Sequence, residues 1–214
     1  MIKLTKRLQT CADYVRHGSR LADIGCDHGY VPVYLTEQGV IRSAVAADIN
    51  EGPLASCRSL VVMHGLEAQI RCVLSDGLDK IEQDEADDIL IAGMGGELIA
   101  SILGRCPYAK DKHLILNPMT HPELARQWLY ENGFSILHDV IVADAGHYYS
   151  VMDASYTGEF TETDDIACFL GKIDDFSEKE YFRRLTVYLK NKEKGGADYT
   201  RLLQKIEELL NDNG

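Results

Sequence analysis

The sequence is poor in basic residues and has no long apolar run. Its 214 residues include 22 Lys and Arg against 34 Asp and Glu, so the formal net charge is -12. This balance argues against binding of nucleic acid over the whole surface, because phosphates are bound by clustered Lys and Arg. No apolar run approaches the length of a membrane span, and the N-terminal residues lead into a periodic helix instead of a signal-peptide core. We therefore expect a cytoplasmic protein with no membrane partner.

Cysteine pairs at metal-binding spacing are also missing. The six cysteines are scattered, and no Cys-x-x-Cys pair occurs. This pattern predicts neither a zinc site nor a disulfide framework, so we expect a reduced protein without a bound metal. Cys26 and Cys57 have no evident base partner, and we interpret them as small buried apolar side chains.

The chain is organised around a turn in the segment Leu21–Tyr30. An apolar strand leads there into Asp23, Gly25 and Asp27 and then into a helix, which is where an open α/β sheet binds a nucleotide-like ligand. Two carboxylates at this turn would repel a pyrophosphate. The turn therefore suits a ligand with positive charge or with donor hydroxyl and amino groups, and S-adenosylmethionine meets that description.

Three further polar or glycine-rich turns follow later strands. Asp48 comes about twenty residues after the first turn, a spacing at which a carboxylate accepts the ribose hydroxyls of a nucleoside. Asp76 is placed to accept from an adenine amino group, and the glycines of 93–96 leave room for a second flat molecule. The turns together predict S-adenosylmethionine as the cofactor. The predicted cofactor-binding residues are Asp23, Gly25, Asp27, Asp48, Ile49, Asp76, Gly77, Gly93, Met94 and Gly95.

Short apolar strands alternate with amphipathic helices over most of the chain. Strands are expected at about 20–25, 43–49, 70–74, 89–92 and 113–116, followed by a neighbouring pair at about 134–143 and 148–156. The short connection within the last pair indicates that its two strands are antiparallel. The pattern predicts an α/β fold with a doubly wound, Rossmann-like sheet, mostly parallel with one reversed strand near its edge, as in class I methyltransferases.

Helices are expected to flank this sheet and to form the C-terminal part of the chain. An amphipathic helix at 3–17 opens the chain, and Pro53 is expected at the first position of a later helix. Capping-box spacing predicts two more helix starts, at Thr120 to Glu123 and at Ser177 to Glu180. Two apolar stripes broken by Gly195-Gly196 predict a helical hairpin or a short antiparallel coiled coil. We divide the chain into a cofactor-binding catalytic domain at 1–158 and a helical region at 159–214.

Several segments taken together resemble the bacterial tRNA (adenine(22)-N1)-methyltransferase family. The resemblance covers about residues 1–156 in the same order and spacing. It is most specific where Asp27-His28-Gly29-Tyr30 occurs together with Gly93-Met94-Gly95-Gly96. The resembling segments are Leu4–Leu8, Ala22–Pro32, Glu51–Pro53, Ile91–Ala100 and Trp128–Leu129. The resemblance implies transfer of a methyl group from S-adenosylmethionine to N1 of an adenine in the D-loop region of tRNA.

The resemblance also implies roles for individual residues. Arg7 and Tyr30 become candidates for contacting RNA. Basic patches near the two ends of the chain, independently of the resemblance, complete the predicted RNA-binding residues, which are Lys6, Arg7, Arg183 and Arg184. Taken alone, either basic patch is better interpreted as a solvated helix face. The chain departs from the family pattern at Asp48, where a glutamate is expected, at Asn117-Pro118-Met119, and in its short C-terminal region.

Chemistry at adenine N1 needs little from the protein beyond positioning, because N1 has an in-plane lone pair and requires no deprotonation. Asp27, which can accept from the adenine amino group, and Tyr30, which can stack on the base, are the candidate catalytic residues. Two alternatives stay open: a methyltransferase acting on a small molecule, and a non-catalytic protein that binds an adenosine ligand and a partner. A nicotinamide oxidoreductase is disfavoured by the acidic turn, and a monomer is the expected state.

Overall fold

A seven-stranded sheet carries most of the chain, of which the computed structural model describes residues 2–212. The strands are β1 (Arg20–Ile24), β2 (Ser43–Asp48), β3 (Ile70–Leu74), β4 (Asp88–Gly95), β5 (His113–Thr120), β6 (Phe134–Asp144) and β7 (His147–Tyr156). The helices are α1 (Lys6–Asp13), α2 (Tyr30–Glu37), α3 (Glu51–Met63), α4 (Gly96–Arg105), α5 (Pro122–Glu131), α6 (Asp165–Leu170), α7 (Lys179–Glu193) and α8 (Thr200–Asp212).

The strand order is β3-β2-β1-β4-β5-β7-β6. Strands β1 to β5 are parallel, and β7 runs antiparallel to both β5 and β6. This confirms the doubly wound, Rossmann-like sheet with one reversed strand beside its edge. The order reverses between β1 and β4, and in such sheets ligands bind outside the carboxyl ends of the strands at that point.

The sheet separates two apolar cores because successive side chains of a strand point to opposite faces. On β1, Ala22 and Ile24 face the core that includes Ile99 of α4 and Leu129 of α5. Leu21 faces the other core, which α1 and α3 complete from the opposite side. Both layers are therefore anchored to the same central strand, and the loops at its carboxyl end are held between them.

The helix predicted at 3–17 is shorter than expected. It extends only over Lys6–Asp13, with Thr5 as the N-cap whose side chain accepts from the Leu8 amide. Beyond Tyr14 the chain leaves the helix because the backbone N–H and Nε of Arg16 donate to the Asp88 carboxylate, at 2.8 and 2.7 Å. A tertiary ion pair ends the helix before the apolar periodicity does.

Three predicted helix starts are wrong. Helix α3 begins at Glu51, two residues before Pro53. Proline is tolerated at any position of the first turn, because the N–H that it lacks has no partner within the helix there. Thr120 stays paired with Gly95 in the sheet and so cannot cap α5, whose N-cap is His121. Ser177 lies outside α7, whose N-cap is Glu178 with no side-chain bond.

The C-terminal helices share a third apolar core, which includes Phe182, Leu189, Leu202 and Ile206. Helix α6, which the sequence pattern did not predict, joins this core to the sheet. The predicted division at 158/159 and the predicted coiled coil stay predictions, and residues 1, 213 and 214 of those ranges lie outside the described chain. Within residues 2–212, no helix combines the length and the apolarity needed to cross a membrane.

Candidate active site

The turn after β1 is held open by backbone conformations that few residues adopt. Gly25, Asp27 and Gly29 have φ values of 73°, 49° and 74°, and Gly29 is the N-cap of α2. The amides of Gly25 and Cys26 both donate to the Ala47 carbonyl oxygen, at 2.8 and 2.9 Å. The turn is therefore fixed against the end of β2, and the left-handed Asp27 directs its exposed carboxylate to the surface of the site.

Two adjoining cavities of about 250 Å³ each lie at the carboxyl ends of β1 and β4. We name them the Asp48 cavity and the Arg7 cavity, and they share Gly25, Ala92 and Gly93 as lining residues. Among the residues singled out from the sequence, the Asp48 cavity is lined by Gly25, Asp48, Ile49, Asp76, Gly77, Gly93 and Met94. The Arg7 cavity is lined by Arg7, Asp23, Gly25, Asp27, Tyr30 and Gly93.

The structure therefore brings together all but one of the predicted cofactor-binding residues. The exception is Gly95, which lines neither cavity and is the N-cap of α4. Cys26 lines the Arg7 cavity, and it and Cys57 are buried, as interpreted from the sequence.

Negative charge is concentrated where the two cavities meet. Asp23 is only 4% exposed, and its burial together with the charges of Asp48 and Asp27 raises its pKa to about 7. Asp48 is also buried, and its carboxylate accepts from the amides of Asn50 at 2.8 Å and Asp27 at 3.3 Å. A cation placed beside Asp23 would relieve this repulsion, so the donor set fits a ligand that combines positive charge with hydroxyl and amino donors.

Glycine at two positions allows a ligand to approach the backbone. A Cβ on Gly25 would lie 2.4 Å from the Met94 Cε atom, and the positive φ is a further barrier to any side chain there. Gly93 has a φ of 85°, and a Cβ built on it meets no atom within 4 Å. A side chain at Gly93 would therefore project into open space at the junction of the two cavities, which is the space a ligand spanning both would use.

Asp76 is already engaged in an ion pair. Its Oδ1 accepts from Arg105 Nη2 at 2.9 Å, and both side chains are about half exposed. A ligand amino group at this position would share the carboxylate with Arg105. Sequence reasoning missed Arg105, because it belongs to α4 and no local spacing connects the two residues.

Arg7 reaches the site from α1 and is held by two groups. Its Nη1 donates to Asn117 Oδ1 at 2.6 Å, and its guanidinium lies 5.4 Å from the centre of the Tyr149 ring. Asn117 in turn donates to the Ser150 carbonyl oxygen at 2.7 Å. Sequence reasoning left Asn117 and Tyr149 without a role, although the position of Asn117 at the carboxyl end of a central strand was a usable signal.

Tyr30 is the first residue of α2 and is 44% exposed at the rim of the Arg7 cavity. Its ring centre lies 5.5 Å from that of His28, whose Nε2 is 3.6 Å from Asp27 Oδ1. The aromatic face and the carboxylate predicted to act on a base therefore border one cavity.

The other predicted RNA-binding residues are dispersed. Lys6 is exposed and lines neither cavity. Arg183 and Arg184 both pair with Glu180, but Arg184 faces α5 and β7, whereas Arg183 lies in the groove between α7 and α8. In the part of the chain that the structure describes, no three His, Cys, Asp or Glu side chains are grouped as a metal site requires.

Comparison with known proteins identifies relatives of this site and fold. A family model described as a methyltransferase domain matches residues 4–152. The curated tRNA (adenine(22)-N(1))-methyltransferase of Bacillus subtilis (strain 168) is 40% identical over 166 residues, which cover 73% of this chain and 70% of that protein.

Solved structures give the same result over nearly the whole chain. The crystal structure of the B. subtilis m1A22 tRNA methyltransferase TrmK is 33% identical and has a TM-score of 0.78, covering 99% of this chain and 96% of that chain. M. capricolum TrmK in complex with S-adenosyl-homocysteine is 25% identical with a TM-score of 0.79, covering 97% and 95% of the two chains.

Proposed function

Because the chain belongs to the tRNA (adenine(22)-N(1))-methyltransferase family, we propose that it transfers the methyl group of S-adenosylmethionine to N1 of adenine 22 in tRNA. The observation that carries this proposal is the pair of adjoining cavities at the β1/β4 switch point, with the buried Asp23 carboxylate beside their junction. One cavity takes the adenosine of the donor, and the other takes the acceptor base. S-adenosylmethionine supplies an electrophilic methyl group.

The Asp48 cavity holds the adenosine half of the donor. Asp48 accepts the ribose hydroxyls, Asp76 accepts from the adenine amino group in company with Arg105, and Ile49, 61% exposed, packs against the adenine ring. Gly25 and Gly93 leave room for the methionine chain of the donor to pass between the cavities. Asp23 and Asp27 face the positively charged ammonium and sulfonium groups.

The Arg7 cavity holds the acceptor adenine. Tyr30 stacks on the base, and Asp27 accepts from its exocyclic amino group, which becomes more acidic as positive charge develops on the ring. The N1 lone pair attacks without a general base, so catalysis consists of positioning and charge stabilisation. We assign donor binding and chemistry to residues 1–158 and additional RNA contacts to the helices at 159–214.

The test is methylation of unmodified tRNA with labelled donor. Labelled methyl groups are expected in tRNA that carries adenine 22, together with a reverse-transcription stop at that position, because methylation of N1 blocks Watson–Crick pairing. A tRNA with guanine at position 22 is the matched substrate control and is expected to stay unlabelled. Binding of the donor without transfer to any tRNA would overturn the proposal and favour a small-molecule acceptor or a non-catalytic role.

A further inference from the structure

A third cavity of about 490 Å³ lies where the C-terminal helices meet the sheet, and it shares no lining residue with the two cavities of the active site. We name it the junction cavity. Its walls come from the end of β5, the start of α5, the start of β7, and helices α6 and α7. Its polar and aromatic lining includes His121, His147, Tyr148, Tyr149, Arg184 and Tyr188.

Aromatic rings in and around this cavity have cations over them. The Arg184 guanidinium lies 5.2 Å from the centre of the Tyr148 ring, and Lys192 Nζ lies 5.3 Å from the centre of the Tyr188 ring. Tyr188 is 37% exposed, so its ring is accessible. Rings that alternate with cations are the arrangement by which proteins hold unpaired bases, because every base stacks and every phosphate is attracted by a nearby positive charge.

Arg7 connects the active site to the junction cavity. Tyr149 lines the junction cavity, Arg7 lines the Arg7 cavity, and the two side chains stack at 5.4 Å. A polynucleotide with one base in the Arg7 cavity therefore has its next unpaired nucleotide within reach of the junction cavity.

The aromatic rings of the junction cavity, with the Arg184 guanidinium over one of them, favour RNA over a second copy of this chain as the occupant. The chain carries a net charge of -12, which opposes docking of a second copy of itself. In the lining of the junction cavity, the Arg184 guanidinium lies beside one acidic residue, Glu123, and Arg184 also pairs with Glu180 Oε1 at 3.2 Å. Glu123 is itself paired with His121 Nδ1 at 3.0 Å.

We propose that the junction cavity holds an unpaired nucleotide of the tRNA adjacent to the target adenine, with its base stacked on Tyr148 and Tyr188 and its phosphate facing Arg184. This proposal rests on the proposed function, since it takes the same tRNA as the bound molecule. The cavity then fixes the RNA next to the reacting base, and it gives the C-terminal helices a role in recognising the acceptor.

A cycle that removes the protein rings and the RNA bases in turn tests this assignment. The protein variants are Tyr148→Leu with Tyr188→Ala, and the RNA variants carry an abasic site at the nucleotide on the 5′ or the 3′ side of the target. In the intact protein, one of the two abasic sites is expected to raise KM for tRNA about tenfold, the effect of losing one stacked base. In the variant that carries both Tyr148→Leu and Tyr188→Ala, here called the ring variant, KM for intact tRNA is expected to be raised to a similar level. The same abasic site should then raise it no further.

Controls separate this proposal from the proposed function and from misfolding. Val187 lies on the same helix but outside the junction cavity, so Val187→Ala should leave KM for tRNA unchanged. Tyr188→Phe keeps the aromatic ring, so it should have the KM of the intact protein, whereas Tyr188→Ala should have a raised KM. Donor affinity and kcat should stay within about twofold in all variants, because the donor site is elsewhere. If the intact protein methylates tRNA but abasic and ring effects simply add, or the ring variant keeps its KM, the junction cavity does not hold a nucleotide. If the intact protein methylates no tRNA, the proposed function is refuted, and this assignment is refuted with it.

Discussion

The Arg7 guanidinium donates a 2.6 Å hydrogen bond to the side-chain oxygen of Asn117, a residue with no exposed surface. The Asn117 side-chain amide donates in turn to the Ser150 carbonyl oxygen, and the backbone N–H of Arg7 donates to Asp144 Oδ2 at 3.3 Å. Helix α1 is thereby connected to β5, β6 and β7 at the mouth of the Arg7 cavity. A basic residue that sequence reasoning treated as part of a surface patch is a fixed wall of the proposed acceptor site.

Replacement of Arg7 should impair use of tRNA more than binding of the donor. Arg7→Lys keeps the charge but loses both the planar stacking on Tyr149 and the hydrogen bond to Asn117. We expect kcat/KM for tRNA to fall by about tenfold to 100-fold, the usual effect of losing a hydrogen bond to a charged group. Donor affinity, measured by calorimetry, should change by less than about twofold.

Lys6→Ala is the matched control for this prediction. Lys6 precedes Arg7 in α1, is exposed and lines neither cavity of the active site, so kcat/KM should be nearly unchanged. If Arg7→Lys behaves like Lys6→Ala, then Arg7 is a surface charge and not a wall of the acceptor site.

Donor binding should depend on pH through Asp23. Its pKa is raised to about 7 by burial and by the charges of Asp48 and Asp27, whereas a cationic ligand favours the ionised carboxylate. Affinity for S-adenosylmethionine should therefore rise as pH increases from 6 to 8, by up to about tenfold if only the ionised form binds. Asp23→Asn should bind more weakly and show no such pH dependence. A parallel pH profile in the two proteins would assign the titration to another group.

The same carboxyl group has the opposite effect on the stability of the ligand-free protein. A carboxyl whose pKa is raised on folding holds its proton in the folded state between about pH 4 and pH 7, where the unfolded chain has lost it, so the free energy of unfolding falls as pH rises over that range. Asp23→Asn should therefore be more stable than the unmodified protein at pH 8 and nearly equal to it at pH 4. Urea denaturation at the two pH values measures the difference, and a stability gain of equal size at both would contradict the assignment.

The sheet and the donor turns could be predicted because their signals are local. An apolar strand followed by Asp-x-Gly-x-Asp, or by Asp76-Gly77, identifies a turn at the carboxyl edge of the sheet from neighbouring residues alone. The end of α1 could not be predicted, because the Arg16 to Asp88 bonds that set it join residues 72 positions apart. The same applies to Asn117 and Arg105, whose partners are distant in sequence, and to α6, which spans six residues and has too few turns to show a periodicity.

Close packing at the start of α4 should make Gly96 irreplaceable. A Cβ at Gly96 would lie 2.0 Å from the His121 carbonyl oxygen, a backbone atom that cannot move aside without displacing the N-terminus of α5. We expect Gly96→Ala to lower the free energy of unfolding by about 2 kcal/mol or more. Denaturant unfolding measures this change.

Gly52→Ala provides the matched control. Gly52 also lies in the first turn of a helix, but a Cβ there meets nothing within 4 Å, and its φ is not positive. Alanine should therefore stabilise the protein by about 0.5–1 kcal/mol through its helix propensity. Equal effects of the two substitutions would show that the contact with His121 does not limit this position.

The buried pair of Arg126 and Asp139 should hold the C-terminal helices against the sheet. Arg126 Nε and Nη2 donate to the two oxygens of Asp139 at 2.8 and 3.0 Å, and Nη1 donates at 3.2 Å to the carbonyl oxygens of Cys168 and Phe169 in α6. Both charged side chains are fully buried. Arg126→Met leaves the Asp139 carboxyl in the interior without a counter-ion, with only Ser150 Oγ and the Lys172 amide, among the described residues, donating to it, so it should cost about 3–5 kcal/mol.

The double variant Arg126→Met with Asp139→Leu distinguishes a lost ion pair from lost packing. It removes both charges together, so its destabilisation should be smaller than the sum of the single effects, by more than about 1 kcal/mol. Because the carbonyl oxygens of Cys168 and Phe169 lose their donor in either case, both variants should also be cleaved faster by protease between β7 and α7. Strictly additive stabilities with unchanged cleavage would show that α6 is held by its apolar contacts alone.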